Sequence, residues 1–337
     1  MKVPVSRHQF ESYLPGALQG IRVTDTLIPQ IAKDRLLLTE IDEAVQTIPT
    51  THHLHHCDAR QMTFLKPNSI HLVLTSPPYW TLKRYRDGDG QLGHIAGYEE
   101  FLDSLDSVWK QCLAALVPGG RLICVVGDVC LSRRKNNGRH TVVPLHASIQ
   151  ERCRQLGFDN LAPIFWHKIS NAAYEVEGGG GFLGKPYEPN AVIKNDVEFI
   201  LMERKPGGYR SPTPAVRLLS IIPDARHKVW FQQIWSDIPG ASTRDHPAPY
   251  PVELAERLIR MFSFVGDVVL DPFMGTGTTA VAAHRCGRHS AGVEVDSEYF
   301  EKACSRVYAD TRDLFDRTEI RLFPKNEPAP HACVAGN

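Results

Sequence analysis

Short apolar runs alternate with amphipathic segments along most of this chain, and this alternation limits the possible folds more than any other feature. From Leu54 onward, runs such as His71–Thr75, Arg121–Val126 and Val268–Asp271 are each followed by a turn or by a segment with helical apolar spacing. Repeated alternation of strand and helix is typical of a parallel sheet covered by helices. We therefore predict an α/β protein with a mostly parallel sheet and helices on both faces.

The periodic segments give the individual elements, and one long stretch lacks them. Helices are predicted at Tyr98–Leu116, Leu145–Leu156, Pro251–Phe262, Thr278–Cys286 and Ser297–Tyr308, and further strands at Ala162–Trp166, Val197–Met202 and Ser290–Glu294. The first 50 residues have helical apolar spacing and are predicted to be an appended helical piece. Between 176 and 245 the periodicity is lost apart from one strand, so this stretch is predicted to be a loop region or a small insertion.

Composition excludes several classes of protein. The 337 residues carry 38 Lys+Arg against 38 Asp+Glu, and 42% are hydrophobic, which is the balance of a globular chain and not of a disordered one. We find no run near the 18 apolar residues that a membrane helix needs and no signal peptide, so we expect a cytoplasmic protein with no membrane contact. The 8 cysteines form no CxxC pair and are predicted to be buried thiols in a reducing compartment.

A glycine-containing turn follows the strand Val268–Asp271 and runs from Pro272 to Thr278. Gly275 and Gly277 allow the backbone to approach a ligand, and the helix that follows presents free N–H groups. Glu294 ends the next strand, where a carboxylate can accept the hydroxyls of a ribose. Nicotinamide and S-adenosylmethionine sites share this arrangement. The third glycine of a dinucleotide motif and a Walker lysine are missing, which favours S-adenosylmethionine over a purely structural turn or a nicotinamide site.

A proline-containing turn, Thr75-Ser76-Pro77-Pro78-Tyr79-Trp80, follows the strand His71–Thr75. Pro77 and Pro78 fix the backbone, so that the Ser76 hydroxyl and the Pro77 carbonyl can both accept hydrogen bonds from one exocyclic amine. Accepting both N–H bonds frees the nitrogen lone pair to attack an electrophilic methyl group. Tyr79 offers a flat face for a base taken out of the duplex, and Trp80 adds to that wall. The alternative is a strand that ends at prolines and a tyrosine that belongs to the core.

With these two turns the chain resembles the DNA amino-methyltransferases, which make N4-methylcytosine or N6-methyladenine. The resemblance covers about residues 54–308 and rests on (Ser/Asp/Asn)-Pro-Pro-(Tyr/Phe) at 76–79 and Asp-Pro-Phe-x-Gly-x-Gly at 271–277. The catalytic turn precedes the cofactor turn, as in the β group, where target recognition lies between the two halves. The resemblance implies a Rossmann-like methyltransferase fold and S-adenosylmethionine as methyl donor, with no metal.

The resemblance also implies roles for individual residues. Catalytic residues are Ser76, Pro77, Pro78 and Tyr79, with Tyr79 and Trp80 forming the base pocket. Cofactor-binding residues are Asp58 beside the adenine, His246 near the methionine end, and Asp271, Phe273, Gly275, Thr276, Gly277, Thr278 and Glu294. The implied divisions of the chain are an N-terminal extension (1–50), a catalytic half (51–202), a target-recognition insertion (203–245), a cofactor-binding half (246–323) and a disordered tail (324–337).

Serine in the first motif position goes mostly with cytosine N4 in this family, whereas Asp or Asn goes mostly with adenine N6. Ser76 therefore predicts a site-specific cytosine-N4 methyltransferase acting by base flipping and direct in-line transfer, with adenine N6 as the alternative. Attack on cytosine carbon 5 needs a thiolate, usually after a proline, and no cysteine here follows a proline. Such an enzyme acts beside a restriction endonuclease or as an orphan methylase, associated with the nucleoid.

Two basic segments are predicted to contact phosphates of double-stranded DNA, with a solvated surface as the alternative. Residues 203–228 hold six basic residues against two acids, and a second loop holds three consecutive cations and Arg139. The predicted DNA-binding residues are Arg204, Lys205, Arg210, Arg226 and Lys228 of the first segment, and Arg133, Arg134 and Lys135 of the second.

The run His52-His53-Leu54-His55-His56 is predicted to lead into a strand and not to bind a metal, because ligands at suitable spacing are missing apart from Asp58. Three other functions stay open at this point. They are methylation of an RNA base or a protein glutamine, nicotinamide-dependent oxidation, and binding by a site that has lost catalysis.

Overall fold

The structure of the protein is a computed structural model, and it describes residues 9–80, 90–131, 136–167, 189, 193, 195–241, 250–311 and 318–325. The strands are β1 (Thr51–His56), β2 (Ile70–Thr75), β3 (Leu116–Val126), β4 (Val129–Leu131), β5 (Thr141–Val143), β6 (Asp159–Asn160), β7 (Ile164–His167), β8 (Val197–Arg204), β9 (Ile234–Trp235), β10 (Val268–Asp271), β11 (His289–Glu294) and β12 (Glu319–Phe323). The helices are α1 (Leu27–Ile31), α2 (Arg35–Gln46), α3 (Tyr98–Ala115), α4 (Leu145–Leu156), α5 (Pro214–Leu219), α6 (Asp224–Trp230), α7 (Val252–Phe262), α8 (Thr278–Arg285) and α9 (Ser297–Asp310).

Within the described residues, a mixed, mostly parallel sheet of ten strands forms the centre of the fold, which confirms the predicted fold class. Its strand order is β12-β1-β11-β10-β2-β3-β8-β7-β9, with β6 beside β8. The strands from β12 to β3 are parallel, and β8 runs antiparallel to β3 and β7. We call the edge where β1, β2, β3, β10 and β11 end the carboxyl edge, and the opposite one the amino edge.

Helices bury both faces of this sheet. Val73 of β2 packs in one cluster with Phe101 and Trp109 of α3. Its neighbours Leu72 and Leu74 point the other way, into a second cluster that contains residues of α7 and α8. A strand that is buried on both faces needs an uninterrupted apolar run, which is why β2 was predictable from sequence.

The N-terminal extension packs against the segment that was predicted to be an irregular insertion. Ile41 and Val45 of α2 share an apolar cluster with Leu218 and Leu219 of α5. The described part of the stretch 203–245 also contains regular structure that was not predicted. It consists of the end of β8, then α5, α6 and β9. These helices are six and seven residues long. Elements this short depend on tertiary packing for their stability, so periodicity alone does not reveal them.

The histidine run forms β1 itself and does not merely lead into a strand, which corrects the prediction. His52 lies within hydrogen-bond distance of Thr50 Oγ1 (2.9 Å) and Ser290 Oγ (2.7 Å), so its buried ring is satisfied. His55 stacks between Phe64 and Phe323 at ring distances of 3.6 and 4.2 Å. Within the described ranges, no group of three or more His, Cys, Asp or Glu side chains is arranged to hold a metal ion. Of the helices in those ranges, none is long and apolar enough to cross a membrane.

Candidate active site

The two turns that carry the sequence motifs meet at the carboxyl edge. β2 and β10 are adjacent parallel strands, with Leu72 and Val73 opposite Val269 and Leu270, so the turns that follow them leave the sheet side by side. Between the turns lies a cleft with about 580 Å³ of empty space, including its open mouth. The cleft is lined by Cys57, Ala59, Ser76, Pro78, Gly90, Gln91, Leu92, Pro272, Phe273, Gly275, Val293, Glu294, Val295 and Tyr299.

The glycine turn has the backbone conformation that its sequence requires. Gly275 and Gly277 have φ angles of 54° and 81°, in the left-handed region that favours glycine. A Cβ atom on Gly277 would also lie 3.2 Å from the Cβ of Ala303 in α9. Thr276 and Thr278, which were predicted to bind the cofactor, do not line the cleft. Their hydroxyls accept hydrogen bonds from Arg306 of α9 at 3.2 and 3.0 Å, so they hold the turn from behind.

Glu294 occupies the end of β11 and joins that strand to the glycine turn. Its carboxylate accepts hydrogen bonds from the backbone N–H groups of Gly275 (2.8 Å), Val295 (2.9 Å) and Asp296 (2.9 Å). Burial raises the pKa of Glu294 to about 7, against these three donors, which lower it. A carboxylate has about four lone-pair sites. One acceptor site is therefore left for a ligand hydroxyl, and not the two that the sequence suggested.

Asp58 lies next to the cleft without lining it. Its carboxylate caps the short helix Ala59–Gln61 and pairs with the Arg60 guanidinium at 2.6 Å, while its neighbours Cys57 and Ala59 line the cleft. Gly90 closes this side, since a Cβ atom there would lie 3.1 Å from Asp58 Oδ2. Asp58 therefore lies beside the cleft with its charge already paired, and its place beside the cofactor adenine stays a prediction.

The proline turn presents Ser76 and Pro78 to the cleft. The Ser76 hydroxyl lies 3.4 Å from the hydroxyl of Tyr79, whose side chain is only 4% exposed and belongs to the core cluster around α3. Trp80 does not line the cleft, and its indole N–H donates to the carbonyl of Ile95 at 3.0 Å. Its φ of 45° is rare for a bulky residue and indicates a strained end to the turn. Neither Tyr79 nor Trp80 is among the residues that line the cleft, and their role as a wall for the base stays a prediction.

The five basic residues between 203 and 228 that were predicted to contact DNA lie at the amino edge or beside it. Arg204 pairs with Arg121 at the end of the β3–β8 register that is nearer the amino edge, whereas the cleft lies beyond the other end, where Val126 pairs with Phe199. Their charged groups bind within the protein: Arg204 to Asp159 (2.8 Å), Lys205 to the Leu116 carbonyl (2.7 Å), Arg210 to Asp267 (2.5 Å), Arg226 to Asp42 (3.9 Å) and Lys228 to Asp224 (2.7 Å).

This geometry does not favour the prediction that these side chains contact DNA beside the cleft. A surface charge that is already paired contributes little net field to attract phosphates. The other predicted cations, Arg133, Arg134 and Lys135, lie outside the described residues, as does His246. Arg139 is described and follows the β4 strand on the carboxyl side of β3.

Several cleft residues were missed by sequence reasoning. Val295 and Tyr299 follow the end of β11, and the rule that ligands bind beyond the carboxyl ends of parallel strands could have found them. Gln91 and Leu92 come from a non-periodic segment after the proline turn, and nothing in the sequence marks them as cleft residues.

Comparisons with known proteins agree on one family. A model of the N6/N4 DNA methylase family matches residues 70–305. The type II methyltransferase M.MjaI of Methanocaldococcus jannaschii is 36% identical over 279 residues, which cover 74% of this chain and 88% of that protein. M.MthZI of Methanothermobacter thermautotrophicus, another type II methyltransferase, is 33% identical over 77% of each chain. The crystal structure of TTHA0409 from Thermus thermophilus, complexed with S-adenosyl-L-methionine, is 50% identical with a TM-score of 0.68 and covers 82% of this chain and 100% of its own.

Proposed function

Because this chain belongs to the N6/N4 DNA methylase family, we propose that it transfers a methyl group from S-adenosylmethionine to the exocyclic N4 amine of cytosine in duplex DNA. The observation that carries the proposal is the shared cleft, in which Ser76 of the proline turn faces Gly275 and Glu294 of the cofactor side. A methyl donor and an acceptor amine need to meet between two such surfaces.

The residues of the cofactor side fit S-adenosylmethionine. The left-handed Gly275 allows close approach of the backbone, and Glu294 keeps one free acceptor site for a ribose hydroxyl. Phe273, Val295 and Tyr299 add an apolar lining that suits an adenine ring. When bound, S-adenosylmethionine supplies an electrophilic methyl group on a sulfonium. The neutral, apolar character of this lining also suits a cofactor that has no pyrophosphate.

Ser76 and Pro77 orient the amine. The hydroxyl of Ser76, which lines the cleft, and the Pro77 carbonyl are proposed to accept the two N–H bonds, which directs the nitrogen lone pair toward the cofactor side. Serine is a poor general base at neutral pH, so the proton released by the amine passes to solvent. Holding the two reactants in contact can supply about 7–11 kcal/mol of the barrier reduction. Tyr79, beside Ser76, is proposed to stack on the flipped base, which requires its ring, 4% exposed in this structure, to be uncovered when the base enters.

The choice of base rests on Ser76, and adenine N6 is the alternative because both amines have the same geometry. The test is tritium transfer from labelled S-adenosylmethionine to duplex DNA, RNA and protein, followed by digestion of the DNA and mass spectrometry of its nucleosides. We expect label in DNA as N4-methyldeoxycytidine. Label recovered as N6-methyldeoxyadenosine would refute the assignment of cytosine as the target base. Label confined to RNA or protein would refute the assignment of DNA as the substrate.

The relatives M.MjaI and M.MthZI are named type II methyltransferases. We therefore propose that this chain modifies one short DNA sequence, as the methylase of a restriction-modification pair or as an orphan. Single-molecule sequencing of DNA from cells that express the protein tests this, because it reports the modified base and its surrounding sequence together. Methylation without a fixed sequence context would refute site specificity.

A further inference from the structure

A single buried oxygen atom joins the two turns of the cleft. Asp271 Oδ1 accepts a hydrogen bond from the Thr75 hydroxyl at 2.7 Å and another from the backbone N–H of Phe273 at 3.1 Å. Thr75 immediately precedes Ser76, and Phe273 lines the cofactor side of the cleft. The Asp271 side chain itself is buried and does not line the cleft, so its carboxylate faces protein donors on every side.

The other oxygen of this carboxylate is anchored as well. Asp271 Oδ2 lies within hydrogen-bond distance of the Thr279 hydroxyl of α8 at 2.5 Å and of the Tyr250 hydroxyl at 3.2 Å. These two hydroxyls are also close enough to bond to each other, so their two protons serve two of the three contacts. With donors on both oxygens, the carboxylate cannot rotate to follow a displaced partner. Buried and fully satisfied polar networks hold their members rigidly.

We propose that Thr75 is a positioning residue for methyl transfer: through Asp271, its hydroxyl fixes the proline turn relative to the glycine turn. This inference rests on the proposed function of the cleft. The two hydrogen bonds to Asp271 Oδ1 connect the last residue of β2 directly to the backbone of the cofactor turn. Misplacement of reacting groups by about 1 Å can lower a rate about 10²-fold, so a bond of this kind affects turnover more than binding.

The experiment compares Thr75→Val, which removes the hydroxyl, with Thr75→Ser, which keeps it. At saturating cofactor and DNA, we expect turnover of the valine variant to fall at least fivefold while the Kd for S-adenosylhomocysteine stays within twofold of the wild type. The serine variant should keep turnover within threefold. Thr50→Val is the matched control, because Thr50 is equally buried, 1% exposed, and its hydroxyl bonds to His52 near the amino edge. It should lower Tm without changing turnover.

A smaller loss of turnover in Thr75→Val, or a parallel loss of cofactor affinity, overturns the inference. A second readout does not depend on catalysis. In hydrogen exchange, S-adenosylhomocysteine should slow exchange of residues 74–80 and 272–279 in the wild type, and only of 272–279 in Thr75→Val. Equal protection of 74–80 in both proteins also overturns it. A wild type that methylates no DNA would refute the proposed function and with it the role in methyl transfer, and the exchange readout would then decide only whether Thr75 couples the two turns.

Discussion

The pKa of Glu294 predicts how cofactor binding depends on pH. Burial raises this pKa to about 7, so the carboxyl group is partly protonated near neutrality in the free protein. The protonated form has fewer acceptor sites, and three backbone N–H groups already occupy the carboxylate. Binding of a ribose hydroxyl therefore favours the ionised form and releases a proton, so affinity falls as pH falls.

The size of the effect follows from the ionised fraction of Glu294. With a pKa of about 7, that fraction is roughly one-tenth at pH 6 and roughly nine-tenths at pH 8. We expect the affinity for S-adenosylhomocysteine to rise about tenfold between these values and to level off above them.

Isothermal titration between pH 6 and 8.5, in buffers of different ionisation enthalpy, measures both the affinity and the proton release. Glu294→Gln should bind more weakly and lose the pH dependence. Glu256→Gln is the matched control, because burial also raises the pKa of Glu256, which lies in α7 and pairs with Arg285 at 3.6 Å. A flat profile in the wild type, or an unchanged slope in Glu294→Gln, would refute the proposed role of this carboxylate.

Four further predictions follow from the same geometry. Ser76→Ala should lower turnover about 10²-fold and leave the affinity for S-adenosylhomocysteine within twofold, measured by tritium transfer and titration. Gly275→Val puts a β-branched residue at a φ of 54°, so S-adenosylhomocysteine should no longer raise Tm in a thermal-shift assay. Burial lowers the pKa of His55 to about 3 and of His289 to about 4, so the unfolded chain gains protons first below about pH 6.5. Urea unfolding should show a loss of stability between pH 7 and pH 5 that is roughly 2 kcal/mol larger in the wild type than in His55→Phe. The two proteins are compared because groups with raised pKa values, such as Glu294, act with the opposite sign in both. Lys228→Gln should leave DNA affinity within twofold, because Lys228 pairs with Asp224 away from the cleft, and a larger loss would place DNA there.

The central strands and long helices could be predicted because the spacing of their apolar residues follows directly from which side chains are buried. β10 has the predicted bounds Val268–Asp271, and α4 the predicted bounds Leu145–Leu156. β1 was missed because four of its six residues are histidines, which only become suitable for a buried strand through partners such as Ser290 and Phe323. A sequence does not show which distant side chain will satisfy a polar group.

The same limit explains which parts of the site were predictable. Ser76 and Gly275 lie in turns with distinctive residues at strand ends, so the local sequence was enough to identify them as site residues. The basic residues had no such context. Arg204 and Arg210 find their carboxylate partners 45 and 57 residues away, and a local count of charges cannot include those partners. The DNA contact of this charge-rich segment therefore stays a prediction, and the fold already binds several of its cations to groups within the protein.

Asp271 shows why a residue of a ligand-binding motif need not touch the ligand. Four hydrogen-bonding groups surround its carboxylate, from the end of β2, the cofactor turn, α8 and Tyr250. Only a carboxylate offers two oxygens with about four lone-pair sites, whereas an amide would present N–H donors toward one pair of these partners. Burial raises the pKa of Asp271, yet the donors favour the charged form. The requirement for aspartate at this position thus follows from holding together two turns that are 196 residues apart in the chain, and contact with a cofactor is not needed to explain it.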